Sequence, residues 1–294
     1  MRNLNMLTAA HRWRHHFVLT IILLLAAYSL SQAQTSRSAA AYYNRGNERY
    51  KKGDLDGAIA DFDAALTFEP RLATAYNMRG CARYNKQDLN GSIADYTRAI
   101  ELDPRMALAY YNRGKARSDE GDWAGSIADY SRAIELNPHL VAAYNNRGNA
   151  RSDQGDLEGA LADFDMGIRL DPHNAFLYNN RGSVRHAKGD LHGAIADYDM
   201  AIKINPQFAE AYGNRGNAKH EAGDLNGSLA DYDSAIAIDP SFAKAYGNRG
   251  LARLSKGDAA GAERDFDQCL KLNPGLKGLL KDQIEQAKRR LGRR

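Results

Sequence analysis

Six copies of the tripeptide Asn-Arg-Gly stand at 44–46, 112–114, 146–148, 180–182, 214–216 and 248–250. A seventh position in the same series, 78–80, reads Met78-Arg79-Gly80, and the step between copies is always 34 residues. The three residue types carry different chemistry. An asparagine amide offers two N–H donors and a carbonyl acceptor. A row made of Asn44, Asn112, Asn146, Asn180, Asn214 and Asn248 can therefore pair with the N–H and C=O groups of another polypeptide whatever its side chains are. The arginines Arg45, Arg79, Arg113, Arg147, Arg181, Arg215 and Arg249 are matched by Asp61, Asp95, Asp129, Asp163, Asp197, Asp231 and Asp265. Equal numbers at equal spacing predict repeated ion pairs between helices, in preference to an arginine row for an acidic ligand. The glycines are expected inside helices, where each costs about 1 kcal/mol relative to alanine. Their persistence implies that something needs the missing side chain. The expected neighbour is the small slot Ala58, Ser92, Ser126, Ala160, Ala194, Ser228 and Ala262, which would let two antiparallel helices sit close.

Other reactive residue types are sparse. His186 and His220 share one slot of adjacent repeats, with Glu221 nearby. A zinc site needs more ligands than these, so the expectation is two solvated histidines and no metal. Cys81 and Cys269 are the only cysteines and lie five repeats apart. A disulfide needs Cα atoms within about 7 Å, which predicts two free thiols. The sequence contains no HExxH metalloprotease motif, no P-loop, no dinucleotide-binding glycine pattern and no nucleophile–base motif. It gives no reason to expect an enzyme or a cofactor.

The 34-residue period also defines the elements that carry these rows. All seven prolines fall on one slot, Pro70, Pro104, Pro138, Pro172, Pro206, Pro240 and Pro274, where they stop a helix because proline cannot continue its hydrogen-bond ladder. Each repeat reads as two helices. The first ends at a Gly-Asp pair such as Gly121-Asp122, the glycine suited to a left-handed C′ position and the aspartate to capping the next helix. Gln87 replaces that glycine in the second repeat, which predicts a strained turn. The second helix, as in "WAGSIADYSRAIEL", repeats apolar or small residues at Trp123, Ser126, Ile127, Tyr130, Ala133, Ile134 and Leu136. Spacings of three and four make one buried stripe. Glycine also recurs at Gly57, Gly91, Gly125, Gly159, Gly193, Gly227 and Gly261. A glutamate there would complete a capping box, and the sequence alone offers no reason for glycine.

An aromatic near the repeat start (Tyr42, Tyr76, Tyr110 and equivalents), the glycine four residues later, a small residue, a second aromatic (Phe62, Tyr96, Tyr130 and equivalents), a further small slot and the proline together resemble the tetratricopeptide repeat. The resemblance covers 39 to about 275 in seven units, 39–72, 73–106, 107–140, 141–174, 175–208, 209–242 and 243–276. One departure is the arginine before the glycine, where the family more often has leucine. The resemblance implies an all-α fold, a right-handed superhelical solenoid of helix–turn–helix repeats whose first helices line a concave groove. The asparagine row would then face the groove, similar to the asparagine ladder with which O-linked N-acetylglucosamine transferase holds extended polypeptide. Tyr43, Tyr50, Tyr84 and Tyr111 would fall in groove slots of the first three repeats, where tyrosine supplies rigid amphipathic contact area. Some relatives hold a chaperone C-terminal carboxylate with a lysine one residue before the asparagine. Here that slot has Tyr43, Asn77, Tyr111, Asn145, Asn179, Gly213 and Gly247, so that clamp is not expected.

The ends differ from the repeats. Residues 1–33 combine Arg2, Arg12 and Arg14, an apolar run from Phe17 to Leu30, and small residues at Ser31 and Ala33. This is the pattern of a secretory signal peptide cut after Ala33; the run is short for a membrane span of about 20 residues. The expectation is export to the periplasm or outside the cell, in preference to an uncleaved membrane anchor. Without the leader Lys+Arg falls from 40 to 37 against 36 acidic residues. Residues 275–294 are net +5, which leaves 34–274 at −4, a balance unlike a nucleic-acid grip. The tail places Leu276, Leu279, Leu280, Ile284, Ala287 and Leu291 on one stripe and is expected to be a basic amphipathic helix capping the last repeat, with contact to an anionic membrane surface as its alternative use.

The expected function is a protein–protein interaction scaffold that binds extended peptide segments in its groove. The alternative is a cell-envelope assembly component that binds a folded subunit or cell-wall polymer through its convex face or its basic tail.

Overall fold

The computed structural model describes Leu25 and residues 38–291, and among them every regular element is helical. The expected leader, 1–33, lies outside the described residues except for Leu25. The chain divides into two compact units, Met1–Asn137 and Pro138–Arg294. The first holds α1 (38–51), α2 (Leu55–Phe68), α3 (Ala73–Asn85), α4 (Leu89–Leu102), α5 (Ala107–Asp119) and α6 (Trp123–Leu136). The second holds α7 (Val141–Asp153), α8 (Leu157–Leu170), α9 (Ala175–Ala187), α10 (Leu191–Ile204), α11 (Ala209–Glu221), α12 (Leu225–Ile238), α13 (Ala243–Ser255) and α14 (Ala259–Leu272). A 3-10 turn, Pro274–Leu276, leads into α15 (Lys277–Leu291). Helices α2 to α6 in the first unit and α7 to α14 in the second each pack on the next, and consecutive first helices also touch: α3 with α5, and α7, α9, α11 and α13 in series. Each unit is thus a stretch of all-α repeat solenoid, with one layer made of first helices.

The turn between paired helices follows from two residues. Gly53, Gly121, Gly155, Gly189, Gly223 and Gly257 have φ between +81° and +87°, and among the described residues Gln87 is the one non-glycine with positive φ, at 65°. The left-handed region costs a side-chain-bearing residue roughly 1–2 kcal/mol, so the second repeat pays at its turn as its sequence predicts. Next in line, the aspartates Asp54, Asp88, Asp122, Asp156, Asp190, Asp224 and Asp258 each accept from the backbone N–H three residues on, at 2.8–2.9 Å. That residue is always the glycine left unexplained by the sequence. A Cβ on Gly125 would lie 2.1 Å from Asp122 Oδ2. Here the carboxylate folds over the first turn, which a side chain at that position would block.

The glycine of Asn-Arg-Gly makes room for a different partner from the one expected. A Cβ at Gly46 would sit 2.7 Å from the Phe62 ring, and one at Gly80 equally close to the Tyr96 ring. The second-helix aromatic presses hardest on the first helix, and the small slot comes as close as 3.1 Å only at Gly250, where the Ala262 carbonyl oxygen approaches. Phe62, Tyr96, Tyr130, Phe164, Tyr198 and Tyr232 are essentially fully buried as a result. The small slot packs tightly too, since Ala58, Ser92, Ser126, Ala160, Ala194 and Ser228 have no exposed surface. One repeat redistributes volume: Leu177 stands where the other repeats have alanine, and Gly167 stands at a slot that is mostly alanine. A Cβ at Gly167 would meet Leu177 Cδ2 at 2.9 Å. The larger residue is accommodated by deleting the smaller one's methyl, which preserves packing density.

At the C-terminal end α15 packs against α13, and the 3-10 turn against α14. Leu280 is buried there, whereas Leu279, expected on the same apolar stripe, is 57% exposed. Two adjacent leucines point about 100° apart on a helix, and Leu280 is the one directed at Gly247 of α13.

Candidate functional site

The first-helix layer carries the polar rows, and the structure assigns them unequal work. The six Asn-Arg-Gly arginines and Arg79 each form a two-pronged pair with the aspartate of their own second helix, with Nε at 2.9 or 3.0 Å in all seven repeats. The same guanidinium stacks over the tyrosine three residues before it, at 4.9–5.7 Å from the ring centre. Several reach a third group on the preceding second helix: Arg181 to Asp165, Arg249 to Asp233 and Arg113 to Thr97. Asp265 and then Asp233 hold the Arg249 guanidinium above its usual range despite burial. This row is structural, since its charge is spent inside the stack.

A second cationic row was missed by reading the tripeptide alone. Arg49, Arg83, Arg117, Arg151, Arg185, Lys219 and Arg253 also reach those aspartates, at 2.7–3.1 Å. Its signal was the same 34-residue step, four residues after the first arginine. With two cations per carboxylate, aspartates such as Asp163 can lie 3% exposed without the cost of an unpaired buried charge.

The asparagines bond to each other. In the second unit Asn214 donates to Asn179 Oδ1 at 3.0 Å, Asn179 to Asn180 Oδ1 at 3.4 Å, Asn180 to Asn145 Oδ1 at 3.0 Å and Asn145 to Asn146 Oδ1 at 3.1 Å. Five amides on three first helices form one head-to-tail chain. Asn145 and Asn179 belong to the slot before the tripeptide, so the predicted row supplies only three members. Asn248 turns instead to Asn217, whose Oδ1 also accepts from Tyr232 OH. In the first unit Asn112 donates to Asn77 Oδ1 at 3.1 Å, the same contact that Asn180 makes with Asn145 and Asn214 with Asn179, while Met78 has no amide to extend the row toward the first repeat. Asn44 is exposed.

The four tyrosines do not form a single patch. Tyr50 and Tyr84 line one cavity of about 100 Å³ together with Cys81, Asn85, Asn112 and Lys115. Lys115 Nζ lies 4.6 Å from the centre of the Tyr84 ring, and Asp119 accepts from the Tyr84 hydroxyl. Burial, with Asp119 beside it, pushes the Tyr84 phenol above its usual range. Burial also raises the Cys81 thiol, which keeps it protonated and a poor nucleophile. Tyr43 and Tyr111 instead lean on the buried rings of Phe62 and Tyr130, each at 5.9 Å. Both cysteines are free.

The histidines are not simply solvated. His186 pairs with Glu221 at 3.0 Å, and His220 meets Ser255 Oγ at 3.3 Å, so both tie neighbouring first helices together. Among the described residues no three metal-ligating side chains converge.

The repeat geometry and the comparisons agree on the class. Models of the tetratricopeptide repeat match residues 39–72, 80–119, 115–155, 141–174, 182–223, 216–257 and 243–276, and the chain belongs to the tetratricopeptide repeat family. A tetratricopeptide repeat protein from Parabacteroides merdae has a similar fold: TM-score 0.68, 18% identity, 86% of this chain and 99% of that one covered. MamA is similar at TM-score 0.50 and 26% identity over 56% of this chain and 96% of that one. YrrB is similar at TM-score 0.50 and 23% identity over 65% of this chain and 97% of that one. No curated protein matches the chain. Proteins of this repeat family are generally non-enzymatic scaffolds that bind protein or peptide partners.

Proposed function

We propose that this chain is an exported interaction scaffold that holds an extended polypeptide segment against its first-helix layer. The observation that carries the reading is the amide chain from Asn214 to Asn146. Each internal amide spends one N–H and one oxygen lone pair on its neighbours. A primary amide has two N–H groups and two lone pairs, so half of its capacity is not used along the chain. Asn180 and Asn214 are partly exposed and can address a peptide backbone. Linked amides also polarise one another, which strengthens the contacts they make outward. YrrB, of similar fold, is described as having an unusual peptide-binding site, and this is consistent with the reading. The leader composition supports export.

The test is selection of displayed twelve-residue peptides on the whole mature chain, 34–294. Peptides so obtained should bind the Asn146/Asn180/Asn214→Ala triple variant at least tenfold more weakly, with helicity by circular dichroism unchanged. Equal binding by a folded triple variant overturns the reading and directs attention to the opposite face or to the basic tail.

A further inference from the structure

The amide chain ends beside an open cavity of about 330 Å³ in the second unit. Its walls include Asn145 and Asn146 on α7, Asp171 and Asn174 in the turn before α9, and Phe176 in the first turn of α9. Phe176 is 60% exposed, the most exposed large apolar residue within the described repeats. Phe208 meets its ring edge-on at 4.9 Å, an arrangement that holds the ring in place. Asn174 donates to Asp171 at 3.1 Å while its own Oδ1 is buried with no partner. Such an orphan costs about 1–3 kcal/mol, and a small rotation of the amide toward a donor arriving in the cavity removes that cost. Asp171 accepts from Asn174 and from the His173 N–H, but it belongs to no ion pair among the described residues.

An aromatic ring, a carboxylate and an unsatisfied amide oxygen are all complementary to a cation. The first two of these are combined seven times inside this protein, where an arginine sits over a tyrosine ring and against an aspartate. In the cavity the ring and the carboxylate are present, and none of the described residues pairs a cation with Asp171. We infer that this cavity is a subsite for a basic side chain, arginine above lysine, of the extended segment bound along the amide chain. Arginine is favoured because its planar guanidinium stacks on a ring and offers paired donors at once. The aliphatic stem would lie on Val141 and Ala142, which complete the cavity wall. The slight acidity of the repeats, −4 over 34–274, favours approach of a basic segment. This inference rests on the peptide-binding reading and adds to it a charge preference.

The experiment uses fluorescein-labelled peptides of Gly and Ser with a single central guest, Arg, Lys, Phe, Glu or Gly, titrated by anisotropy into the mature chain. Arg should bind roughly tenfold more tightly than Gly, with Lys between them, and added salt should reduce the difference. Asp171→Asn keeps the turn's acceptor oxygen and should remove the preference; Phe176→Ala should reduce it. The inference is overturned if Phe equals Arg, or if the Arg preference survives Asp171→Asn. Equal binding of all guests overturns the subsite and leaves the peptide-binding reading standing. Binding of none overturns both.

Discussion

The carboxylate of Asp122 accepts from Gly125 N at 2.9 Å and lies so close above it that a Cβ there would stand 2.1 Å from Oδ2. The pair recurs in all seven repeats. It explains why the chain accepts a helix-weakening glycine in each second helix. Loss of such a cap costs about 1 kcal/mol, and glycine costs about the same relative to alanine. Gly125→Ala alone should therefore be near neutral, gaining propensity and losing the cap. In an Asp122→Ala background the same change should stabilise by about 1 kcal/mol. A urea-unfolding double-mutant cycle measures the coupling, and additive effects would contradict this account of the glycine.

Gln87 holds a positive φ of 65° at a turn where six other repeats use glycine. Gln87→Gly relieves roughly 1–2 kcal/mol of backbone strain and loses roughly 0.4–1 kcal/mol through the freer unfolded chain. A net gain of about 0.5–1 kcal/mol is expected, visible as a higher unfolding midpoint. The reverse change, Gly121→Gln, should lower it.

Asp197 is buried and accepts from Arg181 at 3.0 and 2.6 Å and from Arg185 at 2.9 Å. Removing one member of such a cluster leaves partly buried charge uncompensated. Asp197→Asn should destabilise by about 3 kcal/mol, and it should do so locally, because repeats interact mainly with their neighbours. Hydrogen exchange should rise in α9 to α11 and remain near the wild-type rate in α14. Uniform loss of protection across the second unit would contradict local coupling.

Asp61 provides a pH test. The hydrogen bond from Arg45 holds its carboxyl below the usual 3.8, against a smaller opposing effect of burial. Because the folded value is the lower one, this stabilisation is complete above 3.8 and is lost as pH falls through the folded value. The stability gap between wild type and Asp61→Asn should be constant down to about pH 5 and close below it. A gap unchanged at the acid end would show that Asp61 contributes nothing through its charge.

Much of the fold was legible because the period locks partners together. Equal rows of arginine and aspartate at one spacing imply pairing, and every such pair is present. The turn glycines, the capping aspartates and the anomaly at Gln87 were legible for the same reason. Spacing could not say which second-helix residue presses on Gly46, since that depends on how far one helix is rotated against the other. The ring of Phe62 took the place assigned to Ala58. Nor could it show that Asn145 and Asn179 link the asparagine row into one chain, because that depends on side-chain direction across adjacent repeats. His186 looked solvated until Glu221, from the next first helix, came within 3.0 Å. The grouping of Phe176 with Asp171 had no period to reveal it, since the equivalent positions three repeats on are Gly278 and Asn273.

The central claim is that the amides from Asn145 to Asn214 meet the ligand. Side-chain amide resonances report this directly. Residues 34–294, labelled with nitrogen-15 on asparagine, would be titrated with a display-selected peptide while the side-chain NH2 signals are followed. The account predicts saturable shifts at Asn145, Asn146, Asn179, Asn180 and Asn214, with those of Asn90 and Asn226, on second helices, unmoved. Binding that leaves the five signals in place while backbone signals of the second helices or of α15 shift would contradict it.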